Sequence, residues 1–111
     1  MKNFNGSHLE IKKCFSAPFQ THPYEVGWAD EAIFFFMIEH ITAGDPEYTA
    51  RVQLSHDGVN WADDGETPVA RMKGEGLHII KVAPNFGNYI RLAVEVEGGE
   101  AMLNIQIHCK G

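Results

Sequence analysis

The stretch that decides the fold is Tyr48-Thr49-Ala50-Arg51-Val52-Gln53-Leu54, followed directly by Ser55-His56-Asp57-Gly58-Val59-Asn60-Trp61. In its first half apolar and polar side chains alternate, which predicts a strand with one face toward a core. The Asp57-Gly58 step then predicts a tight turn, because glycine accepts the positive φ that such turns require. Trp61 supplies a large apolar anchor, so the stretch predicts a strand that ends in a fixed turn.

Similar patterns recur along the chain and predict an all-β protein of about seven to eight strands. Gly98-Gly99 predicts a hairpin turn, and Ala43-Gly44-Asp45-Pro46 predicts another turn. Strands at this spacing are typical of a single antiparallel β-sandwich, which we expect to occupy residues 1–111. The other predicted strands cover 9–15, 68–72, 77–82, 89–97 and 101–109.

The run from Ala32 to Ile38 is apolar at both strand parities, which indicates a strand buried on both faces. The alternative is a helix, since Ile33, Met37 and Ile41 are at helical spacing. Consecutive aromatic and β-branched residues favour the strand. Such a strand needs cover on its second face, which a partner subunit would supply. The predicted interface residues are Phe19, Tyr24, Trp28, Phe34 and Phe36.

The formal net charge of −6 disfavours binding to nucleic acids and to anionic membranes. Residues 1–6 lack the apolar core of a signal peptide, and no apolar run approaches the length of a transmembrane helix. We therefore expect a virion or cytoplasmic location. Cys109 shares parity with the apolar face of the last strand, whereas Cys14 shares parity with polar residues. This favours two free thiols over a disulfide, which remains the alternative.

The Ser55–Trp61 segment and the later Gly87-Asn88-Tyr89-Ile90-Arg91-Leu92 together resemble the S-x-D-G-x-x-W and Y-[IV]-R-[LV] signature of discoidin-like and jelly-roll modules. Small sandwich proteins of tailed-phage virions carry a similar signature. The likeness covers about residues 33–107. It implies a jelly-roll sandwich in which Trp61 packs beneath its turn and Arg91 lies on a late strand. We expect Arg91 to pair there with a carboxylate of a neighbouring strand.

No arrangement of residues in the sequence indicates catalysis or a cofactor. Ser55, His56 and Asp57 are adjacent, but successive strand residues point to opposite faces and do not form a triad. The six histidines show no metal-ligand spacing. One weak candidate remains, a calcium loop, because a hard cation takes several oxygen ligands from a loop. Its carboxylates are those of Asp57, Asp63, Asp64 and Glu66.

The sequence therefore predicts a non-enzymatic structural or interaction protein. The resemblance implies, as the leading hypothesis, a virion component, a capsid-decoration or tail-associated protein, that forms homo-oligomers and docks on a larger assembly. The alternative is a carbohydrate- or cell-surface-binding module that uses Trp61, Tyr89 and Arg91, since aromatic rings stack on sugar rings.

Overall fold

The computed structural model describes residues 4–7, 13–15 and 17–111, with side chains from residue 17 onward. These residues contain nine strands in one antiparallel sheet and no helix. The described residues therefore include no helix that is long and apolar enough to span a membrane. The prediction of an all-β antiparallel fold is confirmed. The strands are β1 (Phe4–Ser7), β2 (Lys13–Phe15), β3 (Phe19–Gln20), β4 (Tyr24–Glu25), β5 (Glu31–Ser55), β6 (Ala62–Asp63), β7 (Ala70–Lys73), β8 (Gly76–Lys81) and β9 (Tyr89–Lys110).

Two long strands, β5 and β9, pair with each other and form the centre of the sheet. Strands β1 to β4 pair with the other edge of β9, and β6 to β8 pair with the other edge of β5. The run from 32 to 38 is thus a strand rather than a helix. The predicted first strand over 9–15 is described only at 13–15, and residues 9–12 lie outside the described residues.

Both central strands bend at the same place, where the pairing register shifts between Ile38 and Glu47. Gly44 and Gly98 have φ values of 65° and 84° at this bend. A Cβ on Gly44 would overlap the carbonyl oxygen of Gly98, so the close crossing of the two strands requires glycine there. The prediction of a hairpin turn at Gly98-Gly99 is therefore wrong, because β9 continues through these residues.

The bend folds the sheet into two layers. The first layer contains β1, β2, β8, residues 31–41 of β5 and residues 101–110 of β9; the second contains β3, β4, β6, β7 and the remaining halves of β5 and β9. The rings of Phe36 and Tyr48 lie 5.8 Å apart across the layers, and the Ala101 N–H donates to Tyr48 Oη at 3.0 Å. Buried inner positions include Phe34, Ile38, Ala50, Val52, Ile90, Leu92, Val94, Leu103, Ile105 and Ile107.

This layering corrects two of the predicted interface residues. Phe34 and Phe36 are fully buried between the layers, so in this fold they contact the core and present no surface to a partner. The outer positions of the same strand are the odd-numbered Ile33, Phe35 and Met37, which are only partly buried. Alternation is strict here because successive strand side chains point to opposite faces.

Cys109 is a buried free thiol on the inner face, as its parity predicts. Burial raises its pKa to about 11. The side chain of Cys14 lies outside the described residues, but the backbone of Cys14 pairs with Met102, seven residues from Cys109 along β9. Seven residues of extended strand span roughly 23 Å, far more than a disulfide bridges.

Candidate functional site

The Ser55–Trp61 segment forms the predicted tight turn, and the Asp57 carboxylate organises it. Asp57 Oδ1 accepts hydrogen bonds from the N–H groups of Val59 and Asn60, both at 2.9 Å, and Oδ2 accepts from Asn60 Nδ2 at 2.7 Å. Gly58 has a φ of 80°, and its N–H donates to Ser55 Oγ at 2.8 Å. The backbone N–H of Asn60, followed by that of Val59, holds the pKa of Asp57 well below its usual range. These bonds give the turn a fixed shape.

These same bonds leave the adjacent Ser55, His56 and Asp57 without triad geometry. The Ser55 hydroxyl donates to Asp57 Oδ1 at 3.0 Å, whereas a triad serine would donate to a histidine. The His56 side chain is exposed, with Nε2 at 3.6 Å from Asp57 Oδ2. The three side chains therefore support a turn.

A groove lies beside this turn at the end of the second layer. It has a volume of about 410 Å³ and is open to solvent along its length. The turn supplies one wall, and the loop before β9 supplies the other. Asn85 in that loop has a φ of 67°, the only positive value among the described residues other than glycine. Positive φ is uncommon outside glycine, and asparagine is among the residues that adopt it most readily. The lining residues are Leu54, Ser55, His56, Asn60, Trp61, Ala62, Asn85, Phe86 and Gly87.

The groove combines aromatic surface with uncharged polar groups. Trp61 supplies a partly exposed ring, whereas Phe86 is only 3% exposed. Asn60 and Asn85 supply amides that both donate and accept hydrogen bonds, although Asn60 Nδ2 already donates one to Asp57 Oδ2. None of the lining residues in the described part of the chain is an aspartate, glutamate, lysine or arginine. A groove of this kind suits a neutral ligand that carries several hydroxyl groups.

Trp61 is held in place from the outer face of the second layer. The Arg91 guanidinium lies 4.2 Å from the centre of the Trp61 ring, a cation–π contact. Arg91 Nε donates to Gln53 Oε1 at 2.8 Å, and Gln53 Nε2 donates to Asp63 Oδ1 at 3.0 Å. The expected carboxylate partner of Arg91 is thus replaced by an amide. This chain of contacts positions Trp61 on a rigid strand pair.

The structure brings together two of the three predicted ligand residues. Trp61 and Arg91 are in contact, but only Trp61 lines the groove. Tyr89 packs over the turn, where a Cβ on Gly58 would lie 3.7 Å from its ring. Sequence reasoning missed Asn60, Asn85 and Phe86. The Asn85-Phe86-Gly87 segment carries loop residues that alone give no sign of a binding role.

The four carboxylates of the predicted calcium loop do not converge. Asp57 binds the turn, Asp63 binds Gln53, and Asp64 Oδ2 accepts from Thr67 Oγ1 at 2.5 Å while its Oδ1 accepts from the Glu66 N–H at 3.0 Å. Within residues 17–111, no group of three or more His, Cys, Asp or Glu side chains is placed to hold a metal ion.

The remaining predicted interface residues lie along the start of the described chain. Phe19 and Tyr24 are partly buried and pack against the core, where β3 and β4 pair with β9. Trp28 is 43% exposed and lies against Gly111. Of the five predicted residues, Trp28 is thus the most exposed.

The part of the first layer's outer face that β5 and β8 form is apolar, and we call it the outer apolar face. Ile33, Phe35 and Met37 of β5 lie there beside Leu77 and Ile79 of β8, which are 50% and 55% exposed. The corresponding positions of β9 are polar: Asn104, Gln106 and His108. Sequence reasoning anticipated an uncovered apolar face but not the contribution of β8.

Comparisons with known proteins leave the family open. No family model and no curated protein matches the chain. Among solved structures, the CBM22-1–GH10 modules of Clostridium thermocellum endo-1,4-β-D-xylanase 10B, solved with xylohexaose, align at 15% identity over 80% of this chain, with a TM-score of 0.45. Dimeric latent PorU of Porphyromonas gingivalis aligns at 9% identity over 99% of this chain, with a TM-score of 0.43.

The Yersinia pseudotuberculosis-derived mitogen aligns at 8% identity over 98% of this chain and 84% of its own, with a TM-score of 0.39. This chain spans only 19% of the xylanase chain and 12% of the PorU chain. All three TM-scores lie below 0.5. The virion role stays a prediction that they do not test.

Proposed function

We propose that this chain is a non-catalytic binding module whose groove beside the Ser55–Trp61 turn binds a neutral glycan. The observation that carries the proposal is the groove lining, which joins the Trp61 ring to the amides of Asn60 and Asn85, with His56 as its one titratable side chain. Aromatic rings stack on the C–H faces of sugars, and amides satisfy sugar hydroxyls in pairs. An open groove admits an extended chain of sugar residues.

The rigidity of the site also supports binding. The turn is fixed by the Asp57 hydrogen bonds, and Trp61 is fixed by Arg91. Groups that are already ordered lose little conformational entropy when a ligand binds. Asn85 keeps its left-handed conformation at the groove wall, a region that asparagine tolerates better than most residues other than glycine.

The test is a binding measurement with neutral oligosaccharides and the variant Asn85→Gly. Glycine accepts the φ of 67° without strain, so the variant keeps or gains stability while it loses an amide of the groove. We expect at least a severalfold loss of affinity, measured by calorimetry. Val59→Ala is the matched control, because Val59 lies in the same turn, is 77% exposed and does not line the groove.

Two outcomes would reject the glycan proposal. One is the absence of binding to a broad panel of neutral oligosaccharides. The other is a glycan affinity that Asn85→Gly and Trp61→Ala leave unchanged, with both variants folded by circular dichroism.

A second candidate function is favoured by the outer apolar face. A structural role in a larger assembly, of which a virion is one example, would use this face for docking, since exposed apolar patches mark interaction sites. The gene neighbourhood separates the candidates: adjacent capsid and tail genes would support the structural role, whereas adjacent glycoside hydrolase genes would support the glycan-binding role.

A further inference from the structure

Strand β8 is an open edge of the first layer. Among the described strands it pairs only with β5, so one side of its backbone has no strand partner. The Val82 N–H donates to the Ala32 carbonyl oxygen at 3.0 Å, directly across the β5–β8 register. Because donor and acceptor groups alternate sides along a strand, the even-numbered residues of β8 face β5. The N–H and C=O groups of Leu77, Ile79 and Lys81 therefore point to the open side.

This edge lacks the usual protection against pairing. Exposed edges are normally blocked by proline, by a bulge or by inward-pointing charges. Gly76–Lys81 has the sequence Gly-Leu-His-Ile-Ile-Lys, with its one charge at the end. Leu77 and Ile79 are each about half exposed and stand on the outer apolar face. An edge with free hydrogen-bonding groups and exposed apolar side chains is suited to accept another strand.

The sequence of this edge is complementary to itself. In an antiparallel pair of two β8 strands centred on His78, Leu77 of one copy lies opposite the partner's Ile79, and Lys81 lies opposite the partner's Glu75. On the outer face the apolar side chains then meet each other and Lys81 meets a carboxylate, while Ile80 lies opposite the partner's Gly76 and His78 opposite the partner's His78. The same register places Leu77 and Ile79, whose backbone groups point outward, in directly hydrogen-bonded pairs. Moving the centre by one residue to Leu77 would set Lys81 against the partner's Lys73.

Lys81 is available for such a pair. Within residues 17–111 its ammonium group forms no ion pair with a carboxylate, whereas Lys73 lies 3.0 Å from Asp45 Oδ2. Glu75 Oε2 accepts from the Ile41 N–H at 2.9 Å, which holds the carboxylate at the end of β8. Glu75 Oε2 also lies 3.3 Å from His40 Nδ1, and the side chain is 52% exposed, so a partner's Lys81 would share a carboxylate that already contacts β5.

We propose that two copies of this chain associate through β8, in an antiparallel two-fold pair centred on His78 that extends the first layer across both copies. The outer apolar faces of the two copies then join into one continuous surface. The strand contributes about 20 Å of edge, so the interface falls in the small class below about 1,200 Å² and the dimer is reversible. The inference does not rest on glycan binding, because β8 contributes no residue to the groove.

A cysteine placed at the two-fold centre tests the register. In a pair that is not hydrogen-bonded, opposite Cα atoms lie about 4.5 Å apart, which a disulfide bridges. In a Cys14→Ser background we expect His78→Cys to form a covalent dimer under mild oxidation. Leu77→Cys and Ile79→Cys are the matched controls, since each lies opposite a different residue, and we expect at least tenfold less cross-linking from either.

The unmodified chain tests the association itself. By analytical ultracentrifugation we expect a concentration-dependent rise toward twice the 12.4 kDa of one chain, abolished by Ile79→Lys and retained by Val59→Lys. Val59 and Ile79 are both exposed, so neither substitution disturbs the core. Three results would each overturn the proposal. The first is a chain that stays monomeric at concentrations up to ~1 mM. The others are equal cross-linking at 77, 78 and 79, and a dimer that Ile79→Lys leaves intact.

Discussion

The two outer faces of this sandwich differ in chemistry although the same two strands form the centre of both. On the first layer, β5 presents Ile33, Phe35 and Met37, and β8 adds exposed apolar side chains. On the second layer, β5 presents Arg51 and Gln53, which bond to Glu95 and Arg91 of β9. The difference arises within β5 itself. Its side chains are apolar at both parities before the bend, and apolar and polar side chains alternate strictly after it.

This comparison also suggests a division of roles. The polar face holds Trp61 and the turn in place, so it serves the groove at the end of the second layer. The apolar face ends at the open edge of β8, where a second copy has a matching surface. Polar contacts are thus used where a rigid site is needed, and apolar exposure remains where association is proposed.

The largest expected effect separates the inner from the outer positions of β5. Phe34→Ala removes a fully buried ring from the core, and we expect a loss of about 3–5 kcal/mol in the free energy of unfolding. Phe35→Ala changes the partly buried outer face, and we expect less than half that loss. Urea denaturation of both variants measures the difference. Equal losses would mean that the parity of this strand is incorrectly assigned.

A smaller difference in the free energy of unfolding is expected between substitutions of two glutamines, one on each outer face. Gln53→Leu removes the acceptor for Arg91 Nε and the donor to Asp63, and we expect a loss of about 1–2 kcal/mol in the free energy of unfolding. Gln106→Leu removes only a long contact of Gln106 Oε1 with His108 Nε2, at 3.5 Å, and places an apolar side chain opposite Phe35, so we expect a smaller loss. Thermal and urea unfolding of the two variants provide the comparison. A destabilised Gln106→Leu with a neutral Gln53→Leu would reverse the assignment of the faces.

The smallest effect concerns the turn beside the groove and appears only in acid. Hydrogen bonds hold the pKa of Asp57 below its usual value of 3.8. A depressed carboxyl pKa contributes stability that is complete above the unfolded-state pKa and is lost as the pH falls toward the folded-state pKa. We therefore expect the stability of the native chain to fall below about pH 4 more steeply than that of Asp57→Asn. Parallel curves for the two proteins would contradict this role for the carboxylate.

Much of the fold follows from local pattern in the sequence. The alternation of Tyr48 to Leu54 predicts its buried face, and Asp57-Gly58 predicts its turn, because both depend on neighbours in the chain. The bend is different. Gly98-Gly99 has the composition of a hairpin turn, but its glycines serve the crossing of β5 and β9, which depends on residues more than fifty positions apart.

The candidate site was predictable only in part for the same reason. Trp61 and Arg91 stood out as members of a recognisable pattern, and they are in contact. The opposite wall, with Asn85 and Phe86, is brought to the turn by the sheet, so no local signal marks it. The edge at β8 is likewise visible only after the pairing shows that, among the described strands, β8 is bonded to β5 alone.

The most direct test of the central claim is an amide chemical-shift titration of the ¹⁵N-labelled chain with neutral oligosaccharides. We predict saturable shifts for residues 54–62 and 85–87, at the groove, with β8 unaffected at fixed protein concentration. The same titration with Asn85→Gly should need several times more ligand for equal shifts. Shifts confined to other surfaces, or none with any neutral oligosaccharide, would contradict the assignment of the groove as the binding site.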